Sequence, residues 1–385
     1  MAVTVRPRIQ NLQASLIAEV ASLGMGDPEV LPLWFGEGDL PTPRFITEAA
    51  ARALEAGETF YTFERGIPPL RQVLAEYETG LHAQPVTADR VVVTNSGMQG
   101  IMLTVQALVD PGDNVLVVSP VWPNIGAAIE IMGGEARAVA LGRRDDGRFV
   151  LDLDAMERAR DGRTRAIFLN SPSNPTGWVM SRDEGLALLA YIRRHGLYLI
   201  ADEVYARVIY DGSVAPSLLD IATPEDRVVV VNSFSKAWAM TGWRLGWIVA
   251  PREIVDVMGK LIQYNVSGAP TFIQHAAVTA VREGESFTRS MTERYRAGRS
   301  LVLDALRGLN RVQVAPPDGA FYAFIKVDGM ADSVAFAKEI LAKTKVGLAP
   351  GAAFGLGGEG HLRLCFAASA DRLEPALERL VPFLR

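Results

Sequence analysis

The sequence of 385 residues predicts an α/β protein with a largely parallel central sheet and a second, smaller α+β unit. From about Arg90 onwards, short β-branched segments alternate with helical patterns, and these segments lack the polar alternation of a half-exposed strand. Apolar strands separated by helices are typical of a parallel sheet that is buried on both faces. The last third differs, because a long helical pattern there leads into two further strand-like segments.

Six segments are predicted as strands of the central sheet: Val91–Thr94, Asn114–Ser119, Ala166–Asn170, Tyr198–Asp202, Val228–Asn232 and Gly246–Ala250. The helical patterns between them include Gly97–Val109 and Arg182–His195. The smaller unit is predicted to contain a helix at about Phe272–Leu309, a strand at Ala320–Lys326, a helix near Ser333–Ala342, a strand at His361–Ala367 and a helix at about Asp371–Leu380. We therefore predict a large domain over residues 44–280 and a small domain formed by residues 1–43 and 281–385.

Charge and cysteine content exclude several classes of protein. Lys plus Arg number 39 against 44 Asp plus Glu, and no long basic block occurs, so we expect no nucleic-acid partner. The single cysteine, Cys365, forbids an internal disulfide, and with four histidines we expect no structural metal. Met1–Gln13 lacks the apolar stretch of a signal peptide, and no segment approaches the ~20 apolar residues that cross a bilayer. We therefore expect a cytoplasmic protein without a membrane partner.

Polar residues follow the predicted strands at their carboxyl ends, which is where open α/β sheets bind ligands. In chain order, these residues are the segment Asn170–Gly177, Asp202, Glu203, Tyr205, Ser233, Ser235, Lys236 and Arg244. After the first strand, Gly97 opens a helix whose N-terminus suits an anion. Together they offer an acid, an amine, an amide, a phenol and several hydroxyls to one ligand.

Each of these residues also has an ordinary structural interpretation. Asn-Pro-Thr-Gly is a common turn, Asp202 and Glu203 are typical helix caps, and a lone lysine is usually solvated. The spacing favours a shared site, because Asn174 to Asp202 is 28 residues and Asp202 to Lys236 is 34 residues. Each interval is roughly one crossover between parallel strands.

These motifs resemble the pyridoxal-phosphate-dependent aminotransferases of class I/II, the aspartate aminotransferase-like superfamily of fold type I. The resemblance depends on Ser-x-Ser-Lys and Gly-x-Arg-x-Gly within Ser233–Gly246, together with Asn-Pro-Thr-Gly and Asp-x-x-Tyr in the expected order. Further matching segments are Gly57–Arg71, Pro120–Asn124, Asp318–Tyr322 and Pro350–Gly355. The resemblance extends from Gly36 to Arg363 and implies a mostly parallel seven-stranded sheet flanked by helices.

The resemblance implies a catalytic role for three residues. Lys236 would form the internal aldimine with pyridoxal 5'-phosphate and then move a proton between the substrate α-carbon and the cofactor. Asp202 would keep the ring nitrogen protonated by pairing with it. Tyr205 and Asn174 would hydrogen-bond the 3'-oxygen of the ring.

It also implies how the rest of the cofactor is held. The expected phosphate ligands are Ser233, Ser235, Arg244 and the backbone N–H groups of Gly97 and Met98. Trp122 would stack on the ring, although a core tryptophan is the alternative. Tyr61 matches a tyrosine that reaches the phosphate across a dimer interface, so the resemblance implies a homodimer with shared active sites.

For the substrate, Arg363 matches the arginine that clamps the α-carboxylate, with Asn174 and Trp122 beside it. Gly36 belongs to a loop that closes over the substrate, and Gly38 stands where the family has a proline. The side-chain pocket is expected near Leu12–Ile17, Glu37–Leu40, Met98 and Trp122, together with Thr62–Arg65 from a partner subunit. Arg65 of a partner subunit is a candidate for binding a second carboxylate, whereas the methionine and tryptophan suit an apolar side chain equally well.

The expected activity is transfer of an amino group from an amino acid to a 2-oxo acid, through the Lys236 aldimine and a pyridoxamine intermediate. A carbon–sulfur lyase on the same scaffold is the alternative, because it needs the same lysine, aspartate and phosphate ligands. A non-catalytic cofactor-binding sensor fused to a DNA-binding module is disfavoured. Such a module needs about 70 residues, and about 32 precede Leu33.

Overall fold

The computed structural model describes residues 5–385, and these residues form fifteen strands and fourteen α-helices. The strands are β1 (Leu31–Pro32), β2 (Val91–Thr94), β3 (Asn114–Ser119), β4 (Glu135–Ala140), β5 (Gly142–Arg143), β6 (Phe149–Val150), β7 (Thr164–Asn170), β8 (Tyr198–Asp202), β9 (Val228–Ser233), β10 (Gly246–Val249), β11 (Val312–Val314), β12 (Tyr322–Val327), β13 (Val346–Gly347), β14 (Ala349–Pro350) and β15 (His361–Cys365). The helices are α1 (Pro7–Gln10), α2 (Leu16–Ser22), α3 (Arg44–Glu55), α4 (Pro68–Leu81), α5 (Gly97–Leu108), α6 (Asn124–Met132), α7 (Leu153–Ala159), α8 (Arg182–His195), α9 (Phe234–Ala237), α10 (Arg252–Asn265), α11 (Thr271–Glu283), α12 (Glu285–Leu306), α13 (Ser333–Thr344) and α14 (Ala370–Leu384).

Seven strands form the central sheet in the order β2-β10-β9-β8-β7-β3-β4. All of them are parallel except β10, which is antiparallel to both of its neighbours. Both faces of the sheet are buried. In β3, for example, Val115 and Val117 pack in one apolar cluster while Leu116 and Val118 pack in the other. This two-sided burial explains the missing polar alternation, and the predicted α/β fold is confirmed.

The six predicted strands all lie in this sheet, and the seventh, β4, was missed. β4 is the last strand in the sheet order, and its residues are mostly exposed or half-buried, including Glu135 and Arg137. An edge strand of this kind lacks the continuous apolar pattern that predicts a buried strand.

Helix α8 shows why the local sequence signals predict some elements with the correct bounds. The Ser181 hydroxyl accepts a hydrogen bond from the Glu184 N–H at 3.3 Å, and the Glu184 carboxylate accepts one from the Ser181 N–H at 2.8 Å. This capping box starts the helix, and Gly196 ends it with a left-handed φ of 65°. No helix described between residues 5 and 385 is both long and apolar enough to cross a membrane.

The single helix predicted over Phe272–Leu309 is wrong, because the chain forms two helices, α11 and α12, separated by Gly284. Gly284 has a non-helical ψ of 2°. A side chain at this position would lie 2.6 Å from the Trp238 indole nitrogen, so the chain turns there at a residue without one. The apolar periodicity continues across the break, which is why the pattern predicted one helix.

The last third of the chain forms a four-stranded antiparallel sheet in the order β11-β12-β15-β14. The N-terminal segment joins this part of the molecule, because Leu31 and Pro32 of β1 pair in parallel with Val346 and Gly347 of β13. The pairing supports a small domain assembled from both ends of the chain. The domain boundaries at residues 43/44 and 280/281 stay a prediction, and residues 1–4 of that assignment lie outside the described residues.

Candidate active site

One edge of the central sheet brings together the polar residues that follow its strands. Asn170 at the end of β7 pairs with Asp202 at the end of β8, and Asp202 pairs with Val231 of β9. Because β10 is antiparallel, its first residue, Gly246, lies at this same edge, opposite Ser233. The strand order therefore places four separate polar segments around one space.

Gly246 allows helix α5 to begin at this edge. A side chain on Gly246 would lie 2.6 Å from the backbone nitrogen of Gly97, the first residue of α5. Only glycine fits this close approach of β10 to the helix start. The N-terminus of α5 is thereby held against the ends of β9 and β10.

A cavity of about 260 Å³ opens at this edge of the sheet. It is lined by Ile17, Phe35, Gly36, Ser96, Gly97, Met98, Ile101, Trp122, Asn170, Asn174, Asp202, Val204, Tyr205, Ser233, Ser235, Lys236, Arg244, Tyr322 and Arg363. Every predicted site residue is in this set except Tyr61. The Tyr61 side chain lies on the surface, 93% exposed. The cavity thus unites the predicted residues of one subunit, and their individual roles stay predictions.

Lys236 projects from the short helix α9, which directly follows β9. Its Nζ donates a hydrogen bond to the backbone oxygen of Gly36 at 2.5 Å. Burial lowers the pKa of the amine to about 8, while the neighbouring Cys365 and Glu37 act in the opposite direction. A lysine with a lowered pKa carries a substantial neutral fraction near pH 8, and the neutral amine is the nucleophile.

Asp202 is buried at the end of β8, and its carboxylate accepts one backbone hydrogen bond, from the Val204 N–H at 3.2 Å. Burial raises the pKa of this carboxyl to about 7, while the Val204 amide and the charge of Lys236 lower it. A buried carboxyl with a raised pKa is stabilised in its charged form by any cation that enters the cavity.

Glu203 follows Asp202 but belongs to a different environment. Its carboxylate accepts hydrogen bonds from the Ser217 hydroxyl at 2.6 Å and from the Leu218 N–H at 3.1 Å. It does not line the cavity. Its contacts therefore support the structural role that the sequence indicated for it.

Tyr322 is a cavity residue that sequence reasoning did not assign to the site. Its hydroxyl hydrogen-bonds the Tyr205 hydroxyl at 2.6 Å, and the Arg363 guanidinium lies over its ring at 4.6 Å. Burial raises the pKa of both phenols, so both are protonated at neutral pH. Tyr322 was already part of the matching segment Asp318–Tyr322, but only the sheet packing shows that its hydroxyl reaches Tyr205.

Arg363 lies buried in the middle of β15. One Nη donates a hydrogen bond to Asn174 Oδ1 at 2.9 Å, and the other donates to the backbone oxygen of Trp34. Its Nε is buried and has no hydrogen-bond partner among residues 5–385. Because Arg363 also lines the cavity, its buried guanidinium is suited to an anionic ligand there.

A second group of residues is also suited to an anion. The Ser233 and Ser235 hydroxyls are 3.0 Å apart, and Gly97 exposes the N-terminus of α5 to the cavity. Arg244 has a left-handed φ of 52°, and its Nη1 donates to the Thr241 oxygen at 2.5 Å. A non-glycine residue in this region of φ is uncommon and is often found at functional sites.

The predicted side-chain pocket is divided among three spaces. Ile17, the second residue of α2, lines the main cavity, whereas residues 12–16 line a neighbouring cavity of about 290 Å³. Glu37, Gly38 and Leu40 line a third cavity of about 20 Å³ next to Lys236. That these segments share one pocket stays a prediction: Trp122 lines both the main and the neighbouring cavity, and Ser235 and Lys236 line both the main and the third. Arg65 is 3.8 Å from Asp256 and does not line the main cavity.

Replacing Gly36 by alanine should destabilise the fold around Tyr322. A methyl group at residue 36 would overlap the Tyr322 hydroxyl. The same methyl carbon would lie 3.1 Å from Cζ of the Tyr322 ring. We expect Gly36→Ala to lower the free energy of unfolding by about 1–3 kcal/mol, as overpacking usually does. Adding Tyr322→Phe removes the overlapping oxygen and should recover part of this loss. Urea unfolding of the cofactor-free protein measures both effects.

Gly126→Ala is the matched control, since a side chain there meets no atom within 4 Å. It should not lower the free energy of unfolding, because alanine favours the helical conformation of α6 more than glycine does. An unchanged stability in Gly36→Ala, or a loss that Tyr322→Phe does not reduce, would contradict the contact.

Comparisons with known proteins match the chain over nearly its whole length. The model of the family "Aminotransferase class I and II" matches residues 29–380. The aspartate aminotransferase of Thermotoga maritima is 37% identical, covering 96% of this chain and 95% of that protein. The aromatic-amino-acid aminotransferase 2 of Thermococcus litoralis is 32% identical, covering 98% and 97%. A solved structure of a single mutant of Thermus thermophilus aspartate aminotransferase has a TM-score of 0.92, with 34% identity over 100% of both chains.

Proposed function

We propose a cofactor for this protein and a role for each residue of its site. The chain belongs to the aminotransferase class I and II family and is a transaminase. The reaction moves an amino group from an α-amino acid to a 2-oxo acid, with pyridoxal 5'-phosphate as the cofactor. The observation that carries the proposal is that one cavity is lined by a buried amine, Lys236, a buried acid, Asp202, and a buried arginine, Arg363.

The chemistry of the donor set fits pyridoxal phosphate. Lys236 supplies an amine with a lowered pKa for the aldehyde, and Asp202 supplies a buried carboxyl for the ring nitrogen. Ser233, Ser235, Arg244 and the N-terminus of α5 supply the donors for a phosphate. When bound, the cofactor acts as an electron sink for the bond that breaks at the substrate α-carbon.

The remaining residues orient the substrate and move protons. Arg363 is proposed to bind the α-carboxylate, and its hydrogen bond to Asn174 fixes the plane of the guanidinium. The Lys236 amine is proposed to take the α-proton as a general base and to return it as a general acid, a task suited to a pKa near 8. The Tyr322 hydroxyl holds the Tyr205 hydroxyl in one orientation.

The surface around Tyr61 supports a dimer. Phe60, Tyr61, Phe63 and Tyr264 are 83%, 93%, 62% and 88% exposed. Four large aromatic side chains on the surface of one subunit favour an interface with another protein surface. We propose that a second copy of the chain covers them and brings its Tyr61 to the phosphate site of the first.

Introducing charge into this aromatic surface should separate the subunits. We expect the wild-type protein to sediment at twice the chain mass of 41.7 kDa and Phe60→Asp/Phe63→Asp to sediment as a monomer. The monomer should also lose cofactor more readily on dialysis, because Tyr61 of the partner subunit is absent. Leu186→Asp is the control, since Leu186 is also an exposed apolar residue, 45% exposed, on α8. A wild-type monomer, or a double variant that stays dimeric, would refute the interface.

A coupled assay tests the proposed reaction. The cofactor-loaded enzyme is incubated with an amino donor and either pyruvate or 2-oxoglutarate, and the amino acid product is measured together with free ammonia. We expect a new amino acid in step with loss of the donor and no ammonia. Release of thiol and ammonia from a sulfur-containing donor without any 2-oxo acid would instead identify a carbon–sulfur lyase.

A further inference from the structure

We infer that the amino donors of this enzyme carry uncharged, apolar side chains, and that Met98 is a residue that selects them. The inference deepens the proposed function and depends on it, because it takes Lys236 as the reacting amine and Arg363 as the ligand of the α-carboxylate. It names a substrate class that differs from the one in the names of the aspartate aminotransferase relatives.

The side chains on the cavity wall that have no proposed contact with the cofactor or the α-carboxylate are mainly apolar. Two of these residues, Ile17 and Phe35, belong to the N-terminal segment, and two, Met98 and Ile101, belong to the first turns of α5. Ile17 and Ile101 are buried, whereas Phe35 is 41% exposed at the surface. A substrate side chain that contacts these walls loses water without gaining a polar partner, which favours hydrocarbon groups.

The charges along the cavity disfavour a second carboxylate. Three cations line it, Lys236, Arg244 and Arg363, and each already has a proposed task at the cofactor or the α-carboxylate. A dicarboxylic donor requires a further cation, and an unpaired carboxylate in a partly buried site is costly. Glu37 works in the same direction, because it lines the small cavity beside Lys236 and repels a second anion there.

Arg65, the cation that the sequence suggested for a second carboxylate, lies elsewhere in its own chain. Its guanidinium is 3.8 Å from the Asp256 carboxylate, and its side chain is one-third exposed. Its stem packs close to Gly259 of α10. The Arg65→Ala variant tests whether Arg65 of the partner subunit enters the site.

Met98 is the position at which a missing cation is most easily supplied. It is the second residue of α5 and is half-buried on the cavity wall. Its unbranched side chain is close in length to that of lysine, so Met98→Lys adds a charge with little new bulk. Met98→Gln adds polarity of similar length without charge and is the matched control.

Two measurements test the inference. The first is kcat/KM for leucine, methionine and phenylalanine against aspartate and glutamate, at saturating pyruvate. The second is binding to the cofactor-loaded enzyme of two unreactive mimics, 4-methylpentanoate for leucine and succinate for aspartate, by titration calorimetry. We expect the wild-type enzyme to favour the apolar donors and 4-methylpentanoate by about tenfold or more. Met98→Lys should raise the aspartate-to-leucine ratio about tenfold over Met98→Gln, and Arg65→Ala should leave the ratio unchanged.

Several results would overturn the inference. One is a wild-type enzyme that uses aspartate as well as leucine, or binds succinate as tightly as 4-methylpentanoate. Another is loss of aspartate use in Arg65→Ala, which would mean that a partner subunit supplies the cation. A third is a preference for lysine or ornithine as the donor. Their side chains are cationic, so this result would mean that the Glu37 carboxylate selects the donor. An unchanged ratio in Met98→Lys relative to Met98→Gln would remove Met98 from the pocket. If no donor reacts, the proposed function fails, and the calorimetric comparison still decides the preference of the cavity.

Discussion

Replacing Lys236 by alanine should abolish transamination and the visible absorption band of the lysine-bound cofactor. Lys236 is the only lysine that lines the main cavity among residues 5–385. Burial lowers the pKa of its amine to about 8, so no surface lysine offers an equivalent nucleophile in that place. Loss of a general acid–base group alone costs up to roughly 10,000-fold in rate, and loss of the attachment adds to it. Absorbance spectra and the coupled assay measure the two effects.

Lys260→Ala is the control for this experiment, because Lys260 is an exposed lysine on α10. It should retain the band and the activity. A Lys236→Ala protein that still turns over donor and acceptor at the wild-type rate would show that the amine at position 236 is not the reacting group.

Replacing Asp202 by alanine should leave the cofactor bound but reduce activity by roughly 100- to 1,000-fold, the usual effect of removing one charge-stabilising group from an active site. Lys236 and the phosphate ligands remain, so the visible band should persist. On the proposed assignment, activity would fall because the ring nitrogen would lose the carboxylate that keeps it protonated. Asp202→Asn removes the charge but keeps the size of the side chain, and its activity should fall by a similar factor.

Glu203→Gln is the matched control, because Glu203 is the adjacent buried acid and its partners are Ser217 and Leu218. This variant should keep most of the activity. Full activity in Asp202→Ala would show that another group supplies the charge.

The pH dependence of stability gives an independent readout for Asp202. Its folded-state pKa of about 7 lies above the ordinary value of 3.8. Between these values the folded protein keeps a proton that the unfolded chain has lost, so this carboxyl makes the cofactor-free protein less stable as pH rises from about 4 to about 7. The stability advantage of Asp202→Asn over wild type should therefore widen across that interval and stay constant above it. A constant difference across the whole interval would contradict the burial of this charge.

Local patterns in the sequence predicted the elements that are most regular. The strands Val91–Thr94, Asn114–Ser119 and Tyr198–Asp202 and the helix Arg182–His195 have the predicted bounds, since apolar runs and caps are local signals. The same signals fail at β4, which is partly exposed at the sheet edge, and at Gly284, where the apolar pattern continues through a break.

The candidate site was predictable where a residue's place along the chain determines its place in the fold. Asn174, Asp202 and Lys236 all follow strands of one parallel sheet, so their meeting at one edge follows from topology. Tyr322 could not be placed in this way, because its contact with Tyr205 depends on how the second sheet packs against the first.

The most direct test of the central claim is to locate the cofactor on the chain. The protein is loaded with pyridoxal phosphate, reduced with borohydride to make the linkage permanent, digested and analysed by mass spectrometry. We predict one pyridoxyl group per chain, on the peptide that contains Lys236. A modification on a different lysine, or none at a saturating cofactor concentration, would contradict the assignment of this cavity as the active site.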